Sequence, residues 1–209
     1  MPGLLFRSGG LAGHVPRAPR RAAGLVGVTM PFDPQPTLRG DLLELRPLQA
    51  GDFKALYAVA SDPWIWEQHP ARNRHEEPVF RALFEEFLAT RGTLVAVDAA
   101  TRRIIGSSRY YGYDEERSEV EIGWTFLARS HWGGRYNGEM KRMMLRHAFR
   151  FVHSVIFVVG VGNLRSQRAV ERIGAARAGT TVGRNCESYV YRITAAEFEG
   201  REVRRGTAG

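Results

Sequence analysis

The segment His131-Trp132-Gly133-Gly134-Arg135-Tyr136-Asn137-Gly138 carries the clearest chemistry in the chain. Its glycines let a backbone come close to a ligand, and Arg135 offers planar donors that suit phosphate oxygens. The residues before it alternate in polarity. Glu119, Glu121, Gly123 and Thr125 fall on one face of an expected strand, and Val120, Ile122, Trp124 and Phe126 on the other, buried face. After it, Met140, Met143, Met144, His147, Ala148 and Phe151 recur at helical spacing. A strand, a glycine-rich turn and a helix together form an anion site, because the first helical turn presents unpaired N–H groups at the positive end of its dipole. Two nucleotide motifs are excluded. No Gly-Lys-Ser/Thr ending is present, and Gly133, Gly134 and Gly138 lack the G-x-G-x-x-G spacing.

The elements that must position this turn follow from local signals. Leu42–Arg46 reads as a strand stopped by Pro47, and Phe53, Leu56, Tyr57 and Ala60 share one face of a helix that Asp62-Pro63 breaks. The loop Trp64–Pro70 is dense in aromatic and polar groups; its tryptophans either pack in the core or, with Trp66 and His69, wall a substrate pocket. A second helix starts near Pro78, carries Phe80, Leu83, Phe84, Phe87 and Leu88, and ends at Gly92. Thr93–Asp98, Ile104–Tyr113 and the strand holding Glu121 are expected to be antiparallel neighbours. Ser154–Val159 reads as a buried strand. Asn163 caps a helix that Gly174 terminates, and Ala175–Gly183 with Glu187–Ile193 forms a last strand pair.

The 209 residues, 44% apolar and 25% charged, suffice for one soluble globular domain. No apolar run is long enough to cross a bilayer. Cys186 is the only cysteine, so no intramolecular disulfide or thiolate zinc site forms, which suits a reducing, cytoplasmic setting. The histidines show no metal-ligand spacing, and no metal is expected. The net charge of +8 sits largely at the ends: residues 1–29 hold four arginines and no acid, and residues 200–209 carry a net +2. The remaining body, at about +2, gives no designed nucleic-acid face. Residues 1–36 are expected to be a disordered basic extension, either an organelle-type leader or sequence preceding a true start at Met30. The folded domain is expected over 37–198, followed by a basic flexible tail over 199–209.

The order strand, two helices, three strands, helix, strand, helix, two strands resembles the GCN5-related N-acetyltransferase (GNAT) fold over about Leu38 to Thr194. The central turn is similar to that family's acetyl-CoA signature, Q/R-x-x-G-x-G/A. The run Asn163-Leu164-Arg165-Ser166 through Ile173-Gly174-Ala175 is similar to its N-x-x-S…K-x-G-F/A segment. The RimJ/RimL-like branch, with W-G-x-G-Y-A-T-E as a common loop, is the nearest subgroup. Ser130, Arg135 and Asn137 depart from the pattern, standing where Gln or Arg, the second glycine, and alanine are usual.

The resemblance implies a mixed α/β fold, with a mostly antiparallel twisted sheet of about seven strands and about four helices. It implies an acetyl-CoA-dependent N-acetyltransferase acting on a primary amine, a protein N-terminus or a small molecule, by direct attack in a ternary complex. A non-catalytic acyl-CoA-binding sensor is the alternative. An amine with a pKa near 8 or above needs a base to attack. Glu121 matches the family's base position, with Glu119 as the spare, and Ser166 matches the acid that protonates the departing thiolate. Thr125, Phe126 and Leu127 would pair with pantetheine, the residues Trp132 to Gly138 would hold the pyrophosphate, and Asn163 would bond near the thiol arm. Beside these, His131 is expected to neighbour the phosphates or the surface and His147 to be a satisfied core histidine. The final strand pair leaves room for a homodimer.

Overall fold

The computed structural model describes residues 31–182 and 186–207. Residues 1–30 of the expected extension over 1–36, with the start at Met30, and the strand end at Gly183 lie outside the described residues. The strands are β1 (Leu38–Arg39), β2 (Leu43–Pro47), β3 (Thr93–Asp98), β4 (Ile104–Asp114), β5 (Glu119–Leu127), β6 (Ser154–Gly160), β7 (Ala176–Val182) and β8 (Glu187–Thr194). The helices are α1 (Phe53–Ala60), α2 (Pro63–Trp66), α3 (Glu77–Thr90), α4 (Arg135–Ala148), α5 (Leu164–Ile173) and α6 (Ala195–Gly206). One sheet runs in the order β1-β2-β3-β4-β5-β6-β8-β7. Its neighbours are antiparallel except β5 and β6, which run parallel and therefore need the long crossover that contains α4.

The sheet separates two apolar cores. On one side Leu56, Phe80, Phe84 and Phe87 of α1 and α3 pack on Val95, Val97 and Phe126. On the other, Met140, Met144, Leu145, Val170 and Phe198 of α4, α5 and α6 pack on Leu45, Val120, Ile122, Val155 and Ile193. Tyr110 of β4 ties sheet to helix: its buried hydroxyl donates to the Met144 carbonyl at 2.7 Å. Tyr110→Phe is expected to cost about 1 kcal/mol, since that carbonyl keeps its helical N–H partner, and urea denaturation of the two proteins checks it.

The mixed α/β fold is as expected, with eight strands and six helices among the described residues rather than about seven and four. β1 is too short to leave a period in sequence. α2 forms where a loop was expected, because Pro63 suits a first helical position and the Asp62 carboxylate accepts the Trp64 N–H. α6 occupies a stretch assigned partly to the flexible tail. Thr194 and Glu197 cap it reciprocally, the Glu197 N–H donating to Thr194 Oγ1 and the Thr194 N–H to Glu197 Oε2. Phe198 anchors it against Phe149 with ring centroids 5.5 Å apart. At the other end packing begins before residue 37, since Phe32 stacks on Tyr113 and meets Tyr110 edge-on. His147 is the satisfied core histidine expected, its Nε2 2.7 Å from the Asp33 carbonyl oxygen. Among the described residues no helix is long and apolar enough to cross a membrane.

Candidate active site

β5 builds the site by leaving its neighbours in two ways. Its pairing with β6 stops at Glu121–Ile156, so the strand edge from Ile122 to Leu127 has no β6 partner. Against β4 it bulges: Ser107 faces Phe126 and Arg109 faces Gly123, which leaves Ser108 alone opposite Trp124 and Thr125. Trp124, inside the bulge, takes a left-handed φ of 49°, a strained conformation for so bulky a residue. The bulge reverses the strand's alternation. Val120 and Ile122 face the α4 core as expected, but Trp124 and Phe126 join the α1–α3 core. Thr125 turns to the α4 side, where its hydroxyl lies 2.8 Å from Ser108 Oγ and accepts from Lys141 Nζ.

Glu121 points to the α1–α3 side, half-buried, with its carboxyl folded back over Gly123. A Cβ at Gly123 would stand 2.9 Å from Glu121 Oε1, so the glycine makes room for the acid. Burial raises the Glu121 pKa to about 7, against the lowering effect of Arg109 and Lys141. Arg109, fully buried on β4, donates to Thr90 Oγ1 at 2.6 Å and Glu86 Oε1 at 3.3 Å. Its guanidinium sits 4.8 Å from the Tyr111 and Trp124 ring centroids. Glu119, in contrast, is committed: its Oε2 accepts from Ser154 Oγ and pairs with Arg192, both at 2.8 Å.

The α4 N-terminus follows the sequence expectation. Gly133 and Gly134 have φ of 102° and 103°, and Gly134 is the N-cap. Among the described residues no side chain caps the helix, which leaves the N–H groups of its first turn open. The space that a Cβ of Gly133 would fill is empty, and Arg172 of α5 reaches to 3.9 Å from that of Gly134. Such a turn, with open amides, cations alongside and an unpaired strand edge leading away from it, fits a diphosphate on an extended arm. Arg135 is exposed at the helix start. Tyr136 instead turns inward, its hydroxyl donating to Asp98 Oδ2 at 2.9 Å, and His131 sits 3.7 Å from the same oxygen. Hydrogen bonds from Thr101 hold the Asp98 pKa down at about 2, so the carboxylate is a permanent anchor for the turn.

The α5 N-terminus lies beside this turn. The Asn163 side chain accepts the Ser166 N–H at 3.2 Å, which commits its oxygen to the cap and leaves its amide donors. Ser166 is half-buried in the first turn of α5. Trp132 donates its indole N–H to the Leu127 carbonyl at 2.9 Å, and Arg165 lies 4.2 Å over its ring. Trp132 therefore fastens the glycine turn to the end of β5.

The expected pocket wall at Trp66 is corrected by its surroundings. That ring is 4% exposed, donates to the Ala60 carbonyl and packs 5.1 Å from Phe126. His69 does line a cavity of about 490 Å³, shared with Glu67, Arg72, Gly160, Cys186 and Glu187. Its Nδ1 accepts the Ala71 N–H, and burial lowers its pKa to about 4, so it is neutral. Among the described residues no group of three His, Cys, Asp or Glu side chains could hold a metal.

Sequence reasoning missed Arg109, Gly123, Lys141 and Arg172. Lys141 could have been found, since it heads the stripe Lys141, Leu145, Ala148, where a charge is out of place. Arg109 stands out likewise as the one charge in Ile104–Tyr113.

No curated protein matches the chain in sequence. A family model for the acetyltransferase (GNAT) domain matches residues 43–176. A solved T. thermophilus protein described as an acetyltransferase is similar at 27% identity and TM-score 0.68, covering 82% of this chain and 96% of that one. A GNAT-family protein from Chromobacterium violaceum ATCC 12472 shares the fold at 22% identity and TM-score 0.73, covering 89% and 100%. So does the spermidine N-acetyltransferase from Vibrio cholerae in complex with CoA and spermine, at 18% identity, TM-score 0.61, and coverage of 77% and 99%. With the family match spanning well over half of it, the chain belongs to the GNAT acetyltransferases and is an acetyl-CoA-dependent acetyltransferase.

Proposed function

We propose that the chain transfers the acetyl group of acetyl-CoA to a primary amine by direct attack in a ternary complex, as a member of the RimJ/RimL-like branch. The observation that carries this is Glu121, whose carboxyl has a pKa of about 7 where β5 leaves β6 and next to the bulge. A base poised near neutrality takes a proton from an attacking amine efficiently. Acetyl-CoA supplies an activated thioester carbonyl. Open amides at Gly134 to Asn137, with Arg135 and Arg172, hold its diphosphate, and the free edge of Thr125, Phe126 and Leu127 aligns its arm. Edge N–H groups there stabilise the charge that develops on the carbonyl oxygen. Glu121 takes one proton from the nitrogen as the C–N bond forms. Ser166 gives one to the sulfur as the C–S bond breaks and recovers it from solvent.

The acceptor enters from the cavity beside His69, which carries Glu67 and Glu187 alongside Arg72. The bound spermine of the Vibrio cholerae neighbour supports including polyamines among the acceptors tried. A lone cysteine suits a cytoplasmic setting. The test is release of free CoA thiol on incubation with acetyl-CoA and a panel of N-terminal peptides, amino acids and polyamines, with the product identified by mass spectrometry. Thermal stabilisation by acetyl-CoA without thiol release from any amine would favour the sensor and overturn the proposal.

A further inference from the structure

We infer that Lys141 is a positioning residue for acetyl transfer: its buried amine, held by the hydroxyls that brace the strand bulge, sets the charge state of Glu121. The inference rests on the reading of Glu121 as the base.

Lys141 is 4% exposed on the inner face of α4. Its Nζ donates to Ser108 Oγ at 3.2 Å and to Thr125 Oγ1, the residues on β4 and β5 where the register shifts. On β6 it faces the Phe157 ring, 5.4 Å from the centroid. Two hydroxyls and an aromatic ring are poor compensation for an ammonium taken out of water. A methionine would fill the same space at less cost, so stability does not explain the charge.

The electrostatics do. Two cations act on the Glu121 carboxyl, Arg109 from β4 and Lys141 from α4. Arg109 is tied to Thr90 and Glu86 of α3. Burial lowers the Lys141 pKa to about 7, opposed by Glu121. Charged, it favours the ionised carboxylate that an attacking amine needs. It acts from the opposite side of the sheet, at the bulge between β4 and β5. Ser108 and Thr125, both also within reach of the Gly123 carbonyl, hold the amine at the bulge over which that carboxyl lies.

The test is Lys141→Met, assayed from pH 6 to pH 9 with one acceptor so that the acceptor's own titration cancels. Loss of a cation that favours the carboxylate raises the carboxyl pKa. For a Glu121 midpoint moved from about 7 to about 8, kcat/KM falls about fivefold at pH 7 and only about 1.1-fold at pH 9. A loss of equal size at every pH would make Lys141 merely structural and overturn the inference. Infrared titration of the Glu121 carboxyl band, assigned by its absence in Glu121→Gln, reads the same midpoint without turnover, and Lys141→Gln serves if the methionine variant does not fold. A midpoint unmoved in the folded variant overturns the inference. Absence of wild-type turnover with every amine sinks the base reading instead, whatever the band does.

Discussion

Glu121→Gln is expected to lower kcat by roughly 10²- to 10⁴-fold, the usual range for losing a general base, while the Kd for acetyl-CoA stays at its wild-type value. The amide keeps the side chain's shape over Gly123 but cannot take a proton. Neither the open α4 N-terminus nor the free edge of β5 depends on it. The pH profile gives a second signature. A base must be ionised, so activity falls as pH drops through the Glu121 pKa of about 7. In the glutamine variant that limb disappears, and only the acceptor's deprotonation shapes the residual rate. Steady-state kinetics and calorimetric titration of CoA read the two quantities separately. Glu119→Gln is the control. Its carboxylate is held by Ser154 and Arg192 at the far end of β5, so its loss acts on stability rather than on turnover. Wild-type turnover in the Glu121 variant would remove that residue from the role.

The elements around the site were legible because each leaves a local signal. Asn163 and Gly174 mark the ends of α5, and the glycines before Arg135 mark the start of α4. The bulge was not legible. A strand's alternation is read as if its partner were regular, and nothing within Glu119–Leu127 says that Ser108 will face two residues. That one irregularity moves Trp124 and Phe126 into the opposite core and brings Thr125 to Lys141. Arg109 and Lys141 stand out in their own segments, but their convergence on Glu121 does not, because they lie on other elements and are buried by partners far along the chain. Composition also misled. α6 is so charged that it resembled a tail, although Thr194 and Glu197 spell a capping box and Phe198 supplies the anchor. Trp66 shows the converse, since density of aromatic residues in a segment does not say whether they face a ligand or the core.

Gly134→Val tests the anion end of the site, and the expected result is a rise of about 10- to 100-fold in the Kd for CoA with kcat changed only a few-fold. Gly134 is the N-cap of α4 at φ 103°, a conformation that a β-branched residue adopts only with strain. Space is not the obstacle, because the nearest atom to a Cβ there is the end of the flexible Arg172 side chain at 3.9 Å. The chain relieves the strain by rotating the peptides around the cap, which turns the first-turn N–H groups away from a common centre. Each hydrogen bond to a charged oxygen contributes about 1.5–3 kcal/mol, so losing one accounts for the expected weakening at about 1.4 kcal/mol per tenfold. Trp132 on the Leu127 carbonyl and Tyr136 on Asp98 hold the turn's two flanks, so the damage stays at the cap and the fold survives. Glu121 lies on another element, which is why kcat changes little once the cofactor is bound. Pyrophosphate inhibition separates the terms: it should weaken by a similar factor if the amides grip the diphosphate. Unaltered CoA and pyrophosphate affinity in a folded Gly134→Val protein would place the anion site elsewhere.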